Sequence, residues 1–229
     1  MSTASRLNAR PEPQRAVTTP AAGVHRLDMG TTRDGWLFVP PGLTAARPAP
    51  LLVSLHGAGG QGRSALSPPL LERAGQAGML VLAPDSRGPT WDVILGGFGP
   101  DVAFIDAALI HVFERFAVEP RRTILSGFSD GASYALSLGV GNGDVFSHIV
   151  GFSPGFMAPD ASEGQPPIFI SHGVHDRVLS IDHCSRQLVP LLERAGYAVE
   201  YVEFDGGHEV PPAIVEQAVR WVAQTSAPT

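Results

Sequence analysis

The sequence places a serine inside the pattern Gly-x-Ser-x-Gly, at residues 127–131. The residues before it are Thr, Ile and Leu, which is typical of a buried strand, and the apolar residues after it are spaced as in a helix. A serine on such a sharp strand-to-helix turn raises its hydroxyl above the edge of a sheet, and flanking glycines avoid the crowding that a Cβ would cause. The helix N-terminus then points to where negative charge develops. We therefore expect Ser129 to be a nucleophile.

A serine nucleophile needs a base and a carboxylate, and the chain offers both after later predicted strands. His208 follows the last strand and is expected to take the proton of Ser129 and return it to the leaving group. Asp176 follows the strand before it and is expected to hold the imidazole in the correct tautomer. The alternatives are Asp182 and Asp205. The position of Asp182 is typical of a helix N-cap, and that of Asp205 is typical of a turn.

A glycine-rich stretch, His-Gly-Ala-Gly-Gly at residues 56–60, follows the apolar strand predicted over residues 51–55. An acyl-transfer intermediate needs two N–H donors for its oxyanion, and we expect them from Ala58 and from Asp130, the residue after the serine. His56 is expected to orient this loop by a hydrogen bond. A phosphate-binding loop is excluded because the glycine spacing does not fit the dinucleotide pattern and no Gly-Lys-Ser/Thr follows.

Histidines near the predicted carboxylate leave a second chemistry to consider. His172 and His175 are possible metal ligands beside Asp176, but the chain has no His-Glu-x-x-His pattern and no Cys–His array, so we favour structural roles. No metal and no cofactor is expected. The single cysteine, Cys184, excludes an internal disulfide and is interpreted as structural or incidental.

Strand and helix patterns alternate along most of the chain, which predicts an α/β fold with a mostly parallel central sheet and helices on both faces. Function then belongs at the carboxyl ends of the strands. We expect residues 1–20 to form a flexible tail and residues 21–229 to form a single domain. Residues 153–167 are rich in proline and glycine and too short for a substantial lid.

The missing lid predicts a shallow, open substrate pocket that favours short acyl groups. We expect this pocket to be bordered by the loop over residues 85–100. The candidate lining residues are His56, Gly57, Trp91 and Phe98.

Composition limits the partners. The chain has 229 residues and a formal net charge of −6, which disfavours general binding to nucleic acid or to an anionic membrane. No apolar run is long enough to cross a bilayer, and residues 1–20 lack the apolar segment of a signal peptide. We expect a cytoplasmic protein with a small-molecule ester as its partner; the sequence does not specify the oligomeric state.

Together these motifs resemble the α/β-hydrolase superfamily, and within it the small serine carboxylesterases of the phospholipase/carboxylesterase and dienelactone-hydrolase-like group. The resemblance covers roughly residues 51–222 and rests on the segments 55–60, 127–131, 172–176 and 207–208. Two positions depart from the related thioesterases, which usually have Gln after the nucleophile and Gly-Asp after the oxyanion loop. Here Asp130 and the pair Gly59-Gly60 occupy them.

The resemblance implies an α/β-hydrolase fold with little or no lid, and a serine esterase that hydrolyses short-chain soluble carboxylic esters through an acyl-enzyme. Two alternatives remain open. One is a thioesterase or peptidase of the same fold; the other is a noncatalytic binding protein on a hydrolase scaffold. Only catalysis requires a nucleophile, a base and a carboxylate together, which favours an enzyme.

Overall fold

A computed structural model describes residues 4–11, 21–44 and 47–225. One sheet of eight strands, in the order β1-β2-β4-β3-β5-β6-β7-β8, forms its centre. The strands are β1 (Gly23–Arg26), β2 (Gly35–Val39), β3 (Ala49–Leu55), β4 (Leu80–Pro84), β5 (Val118–Phe128), β6 (His148–Phe152), β7 (Ile168–Gly173) and β8 (Val199–Phe204). The pairs β1–β2 and β2–β4 are antiparallel and all other pairs are parallel, so the predicted mostly parallel sheet is confirmed.

Helices cover both faces of this sheet. They are α1 (Gly62–Ala65), α2 (Pro68–Gln76), α3 (Pro100–Phe113), α4 (Asp130–Val140), α5 (Ser185–Arg194) and α6 (Pro212–Gln224). The buried side chains of α3, α4 and α5 pack on one face, and those of α2 and α6 pack on the other. The strands β3 to β7 are almost wholly apolar where they lie between these layers, as expected for parallel strands buried on both faces.

The N-terminal residues correct one expectation. We predicted a flexible tail over residues 1–20, but residues 4–11 lie against the body of the protein and Leu7 is buried among side chains of the core. Asn142, at the end of α4, accepts a hydrogen bond from the backbone N–H of Leu7 at 2.9 Å and donates one to the carbonyl of Ser5 at 2.9 Å. The prediction was wrong here because a polar composition does not reveal a partner that lies more than a hundred residues away. Residues 1–3 and 12–20 lie outside the described residues.

Two further features concern the loop between β6 and β7 and the character of the helices. Residues 153–167, between β6 and β7, form no helix or strand, as the prediction of little or no lid requires. Among the described residues, no helix combines the length and the apolar character needed to cross a bilayer.

Candidate active site

The turn between β5 and α4 holds Ser129 in a strained backbone conformation, with φ 57° and ψ −120°. Both flanking positions require glycine. A Cβ on Gly127 would lie 2.1 Å from the carbonyl oxygen of Gly131, and a Cβ on Gly131 would lie 2.4 Å from the carbonyl oxygen of Leu55. Strain of this kind is found where a side chain must be held in one functional direction.

The structure brings Ser129, His208 and Asp176 into one hydrogen-bonded chain. His208 Nε2 lies 2.9 Å from Ser129 Oγ, and His208 Nδ1 lies 2.6 Å from Asp176 Oδ2. Because a carboxylate only accepts, Nδ1 carries the proton and Nε2 presents its lone pair to the serine hydroxyl. The imidazole also stacks on Phe128, with ring centroids 4.7 Å apart, which fixes the plane of the ring.

Asp176 is completely buried at its side chain and is held by several donors. Its Oδ1 accepts hydrogen bonds from the N–H groups of Val178 and Leu179, both at 2.8 Å. Burial by itself would raise the pKa of Asp176, but hydrogen bonds from Leu179, His208 and Val178 outweigh it and hold the pKa below its usual value. The carboxylate therefore stays ionised near neutral pH and stabilises a protonated imidazole.

The rival carboxylates lie elsewhere. Asp182 accepts a hydrogen bond from Arg186 at 2.7 Å, and helix α5 begins after Cys184 rather than after Asp182. Asp205 lies 3.1 Å from His175 on the exposed surface. Neither carboxylate contacts His208 among the described residues.

The predicted oxyanion donors occupy adjacent strand ends, since β3 and β5 are neighbours in the sheet. Asp130 is the first residue of α4, so its N–H has no acceptor within the helix. In the loop after β3, the N–H of Gly59 bonds to Pro89 and that of Gly60 bonds to Gly57. Ala58 makes no backbone hydrogen bond through its N–H within the described part of the chain, so this group is also free to bind an oxyanion.

Residues 85–92, named here the clamp segment, hold the oxyanion loop and the helix start together. Pro89 accepts from the N–H of Gly59 at 2.8 Å, and the Trp91 indole donates to the carbonyl of His56 at 2.8 Å. Thr90 donates its hydroxyl to the carboxylate of Asp130 at 2.6 Å. The clamp segment thus bonds the backbone of the oxyanion loop and the side chain of Asp130.

His56 is tied into the same arrangement, and its hydrogen bonds fix its tautomer. Its Nε2 accepts the backbone N–H of Ser86 at 3.0 Å, and its Nδ1 lies 2.7 Å from the carbonyl of Gly57, to which it must donate. Burial is the main cause that lowers the pKa of His56, so the ring is neutral near pH 7. The predicted role of His56 in orienting the loop agrees with these contacts.

A cavity of about 370 Å³ lies between α2 and α6, on the side of the nucleophile away from the clamp segment. It is named here the apolar cleft. Ala58 and Phe128 are among its lining residues, so the cleft reaches the oxyanion loop and the residue that precedes Ser129. Leu70 from α2 and Val215 from α6 form its apolar sides. Its size and lining suit a compact apolar group of a small ligand.

The predicted pocket is partly wrong. His56 and Gly57 line the apolar cleft, whereas Trp91 and Phe98 do not. Trp91 is completely buried and packs against Tyr134 with ring centroids 5.1 Å apart, while Phe98 packs edge-on against the same tyrosine at 5.7 Å. Trp91 therefore packs into the core, and the half-buried Phe98 packs against the core from the outside, so neither ring faces the apolar cleft.

The histidines considered as metal ligands have other contacts. His175 is exposed beside Asp205, and His172 is buried with hydrogen bonds to Ser185 and Leu179. In the part of the chain that the structure describes, no group of three or more histidine, cysteine or acidic side chains is placed to hold a metal ion.

Comparison with known proteins places this site in a family. Residues 103–226, more than half of the chain, match the family model described as phospholipase/carboxylesterase. The chain belongs to the phospholipase/carboxylesterase family. It is a carboxylic ester hydrolase with the α/β-hydrolase fold, as the motifs predicted.

Three proteins illustrate what this carboxylesterase is similar to, each at about a quarter sequence identity or less. A probable feruloyl esterase C of Aspergillus oryzae is 24% identical over 222 residues, covering 83% of this chain and 80% of the relative. Among solved structures, esterase PE8 matches with a TM-score of 0.67 at 21% identity, over 85% of this chain and 99% of that one. The CE1 ferulic acid esterase AmCE1/Fae1A of Anaeromyces mucronatus matches with a TM-score of 0.63 at 20% identity, over 96% and 97%.

Two features of this carboxylesterase, the apolar cleft and the clamp segment, were not predicted from its sequence. The helix patterns of residues 68–76 and 212–224 do not reveal that the two helices leave a space between them. Thr90 lies in a loop and has no local motif. Its proximity to Asp130 arises only from the packing of the clamp segment on α4.

Proposed function

We propose that this carboxylesterase hydrolyses small, water-soluble carboxylic esters through an acyl-enzyme on Ser129. The observation that carries the proposal is the continuous hydrogen-bonded chain from Ser129 through His208 to Asp176, with distances of 2.9 Å and 2.6 Å. The proposal includes a single catalytic domain over residues 21–229 and a cytoplasmic location.

Acylation follows from this geometry. Ser129 Oγ attacks the ester carbonyl carbon while His208 Nε2 takes the hydroxyl proton. The negative charge that forms on the carbonyl oxygen is stabilised by the N–H groups of Ala58 and Asp130 and by the N-terminus of α4. The charge on the imidazolium is stabilised by the buried carboxylate of Asp176. His208 then gives its proton to the departing alcohol oxygen, and the acyl group stays on Ser129.

Deacylation uses the same groups in reverse. A water molecule loses a proton to His208 Nε2 as its oxygen attacks the acyl carbon, and the second oxyanion binds the same two N–H groups. The intermediate collapses when Ser129 Oγ leaves and takes the proton back. The products are the free acid and the restored serine, and the reaction consumes one water for each ester.

The apolar cleft bears on the substrate. Its volume of about 370 Å³ lies at the small end of ligand pockets, and Leu70 and Val215 bound it. Each methylene that enters contributes about 0.8 kcal/mol, and a chain that extends into water gains none of this. A compact acyl group therefore fits better than a long one, which supports a preference for short-chain esters.

A second candidate within this activity is an aryl-acyl ester. The named relatives include feruloyl esterases, and the ring of Phe128 lines the apolar cleft beside the serine. An aromatic acyl group of one ring would stack on this side chain. The two candidates differ in the preferred acyl group and share one mechanism.

One experiment tests both parts. The purified protein is treated with a fluorophosphonate probe and assayed on nitrophenyl esters of increasing acyl length, with methyl ferulate added to the panel. We expect the probe to label Ser129, and Ser129→Ala and His208→Ala each to lower turnover by about 10³-fold or more while folding normally. Near-normal turnover by folded Ser129→Ala would exclude this mechanism.

The carboxylate has matched controls in the same region. Asp176→Asn should strongly reduce turnover because His208 loses its orientation, whereas Asp182→Asn and Asp205→Asn should change it little.

A preference for methyl ferulate over nitrophenyl acetate would select the aryl candidate. A preference for long acyl chains would contradict both candidates.

A further inference from the structure

His172, the fifth residue of β7, is a completely buried histidine that the mechanism above does not use. Its Nδ1 lies 2.7 Å from the hydroxyl of Ser185, and its Nε2 lies 2.8 Å from the carbonyl of Leu179. The same Nε2 lies 3.3 Å from Asp176 Oδ2. His172 is therefore in direct contact with the carboxylate that orients the candidate base.

These contacts determine where the proton of His172 resides. The carbonyl of Leu179 and the carboxylate of Asp176 can only accept, so Nε2 carries the hydrogen. This N–H is directed at Leu179 and faces Asp176 Oδ2 at 3.3 Å as a close polar contact. Nδ1 is then an acceptor and receives the hydroxyl proton of Ser185. Burial is the main cause that lowers the pKa of His172, which agrees with a neutral ring.

The oxygen that His172 faces is also the one that His208 uses. Asp176 Oδ2 receives Nδ1–H of His208 at 2.6 Å, while Oδ1 is occupied by two backbone N–H groups. Without His172, Oδ2 would keep only the bond to His208. The carboxylate could then turn about its last bond and carry the imidazole away from Ser129.

We propose that His172 is a positioning residue, which holds Asp176 Oδ2 in the direction that aligns His208, and that Ser185 holds the ring of His172. The inference rests on the proposed function. The chain of contacts then runs from Ser185 through His172, Asp176 and His208 to Ser129. His172 acts on the rate through His208 and does not touch the substrate.

A purely structural role gives a different expectation. The bond from His172 to Leu179 closes the loop between β7 and α5, and a structural role needs this bond alone. Loss of this bond lowers the stability of the loop and does not specifically change kcat. Positioning also needs the N–H that reaches Asp176, and its loss lowers kcat while leaving KM and the fold unchanged.

The test compares two substitutions of similar volume. His172→Leu removes the donor, and His172→Gln keeps an N–H in the place of Nε2. With nitrophenyl acetate, we expect His172→Leu to lower kcat by about 10- to 100-fold with KM unchanged, since the donor that faces the charged carboxylate of Asp176 is lost. We expect His172→Gln to restore kcat to within about threefold of wild type. Circular dichroism and thermal unfolding verify that each variant is folded.

A double-mutant cycle with Asp176→Asn isolates the route of the effect. If His172 acts through Asp176, adding His172→Leu to Asp176→Asn should lower kcat by less than about twofold further. Ser185→Ala provides a second, milder variant that keeps the histidine, and should lower kcat by about threefold with KM unchanged. It tests the inference even where His172→Leu fails to fold.

The outcomes separate the two proposals. Turnover that survives Ser129→Ala would overturn the proposed function. Turnover that depends on Ser129 but is unchanged in folded His172→Leu would overturn only the positioning role, as would an equal loss of kcat in the Leu and Gln variants. Full additivity in the double-mutant cycle would also overturn it, because the effect would then bypass Asp176.

Discussion

The two sides of the nucleophile are built in opposite ways. On one side, the clamp segment is fastened by hydrogen bonds to the oxyanion loop and to the start of α4, with Trp91 completely buried behind it. On the other side, α2 and α6 leave the apolar cleft of about 370 Å³, with apolar side chains at its walls. One side holds the reacting groups, and the other side makes room for the group they act on.

This difference has a physical reason. Oxyanion donors stabilise charge only if they are already in position when it forms, because donors that must reorganise spend part of the stabilisation on moving. The clamp segment is therefore bonded to the backbone around Ala58 and to the side chain of Asp130. A space for an acyl group gains its binding energy from apolar contact, which has no strict direction, so helix side chains suffice for it.

The largest predicted effect is a loss of stability when Trp91 is removed from the clamp segment. Trp91→Ala removes a completely buried ring and the hydrogen bond to the carbonyl of His56, and should lower the free energy of unfolding by about 3–5 kcal/mol. Chemical denaturation followed by fluorescence measures this. Trp91→Phe is the matched control: it keeps most of the packing, leaves the carbonyl without its donor, and should lower the free energy of unfolding by about 1–3 kcal/mol. A loss below 1 kcal/mol in Trp91→Ala would contradict the supporting role of the clamp segment.

A smaller effect, on the preferred acyl group, is expected when the apolar cleft is partly filled. Val215→Phe fills part of the apolar cleft, and should lower catalytic efficiency for the bulkier acyl esters by about 10- to 200-fold while changing that for acetate little. The measurement is kcat/KM across the ester panel. Ala213→Phe places the same ring on the exposed face of α6 and should leave the whole profile unchanged. An equal loss for acetate and for the bulky esters would show that the cleft does not hold the acyl group.

The catalytic candidates could be predicted from the sequence, whereas the clamp segment and the apolar cleft could not. Ser129, Asp176 and His208 were predictable because each follows a strand, and parallel strands bring their carboxyl ends to one edge. The need for glycine at positions 127 and 131 is likewise local, since it follows from the sharp turn.

The features that were missed depend on partners distant in the chain. Whether Trp91 points into the core or toward the substrate is decided by the carbonyl of His56 and the ring of Tyr134. The burial of Leu7 is decided by Asn142. The apolar cleft exists because α2 and α6 pack without filling the space between them. Local composition contains no information on these contacts, so aromatic residues in a glycine-rich loop were predicted on the wrong side of the site.

The smallest predicted effect is a pH dependence that distinguishes the two sides. Burial lowers the pKa of His56 below the value of 6.5 expected in the unfolded chain, so the unfolded state binds more protons as the pH falls through 6.5. The stabilisation from neutral His56 is therefore fully present above pH 6.5 and is lost progressively below it. A protonated ring would also place a second donor against the N–H of Ser86. We expect the free energy of unfolding to fall from pH 7 to pH 5, and to fall less steeply in His56→Gln.

His148 provides the control for this last prediction. Burial also lowers its pKa, but it lies on the other face of the sheet, against Trp221 of α6. His148→Gln should therefore make the pH dependence of unfolding shallower without a change in kcat at pH 8. His56→Gln should do the same to unfolding and should also lower kcat, because the oxyanion loop loses the bond that the His56 ring accepts from Ser86 of the clamp segment. Equal kcat values for the two variants would show that the bonds of the clamp segment support the fold alone and not the candidate oxyanion site.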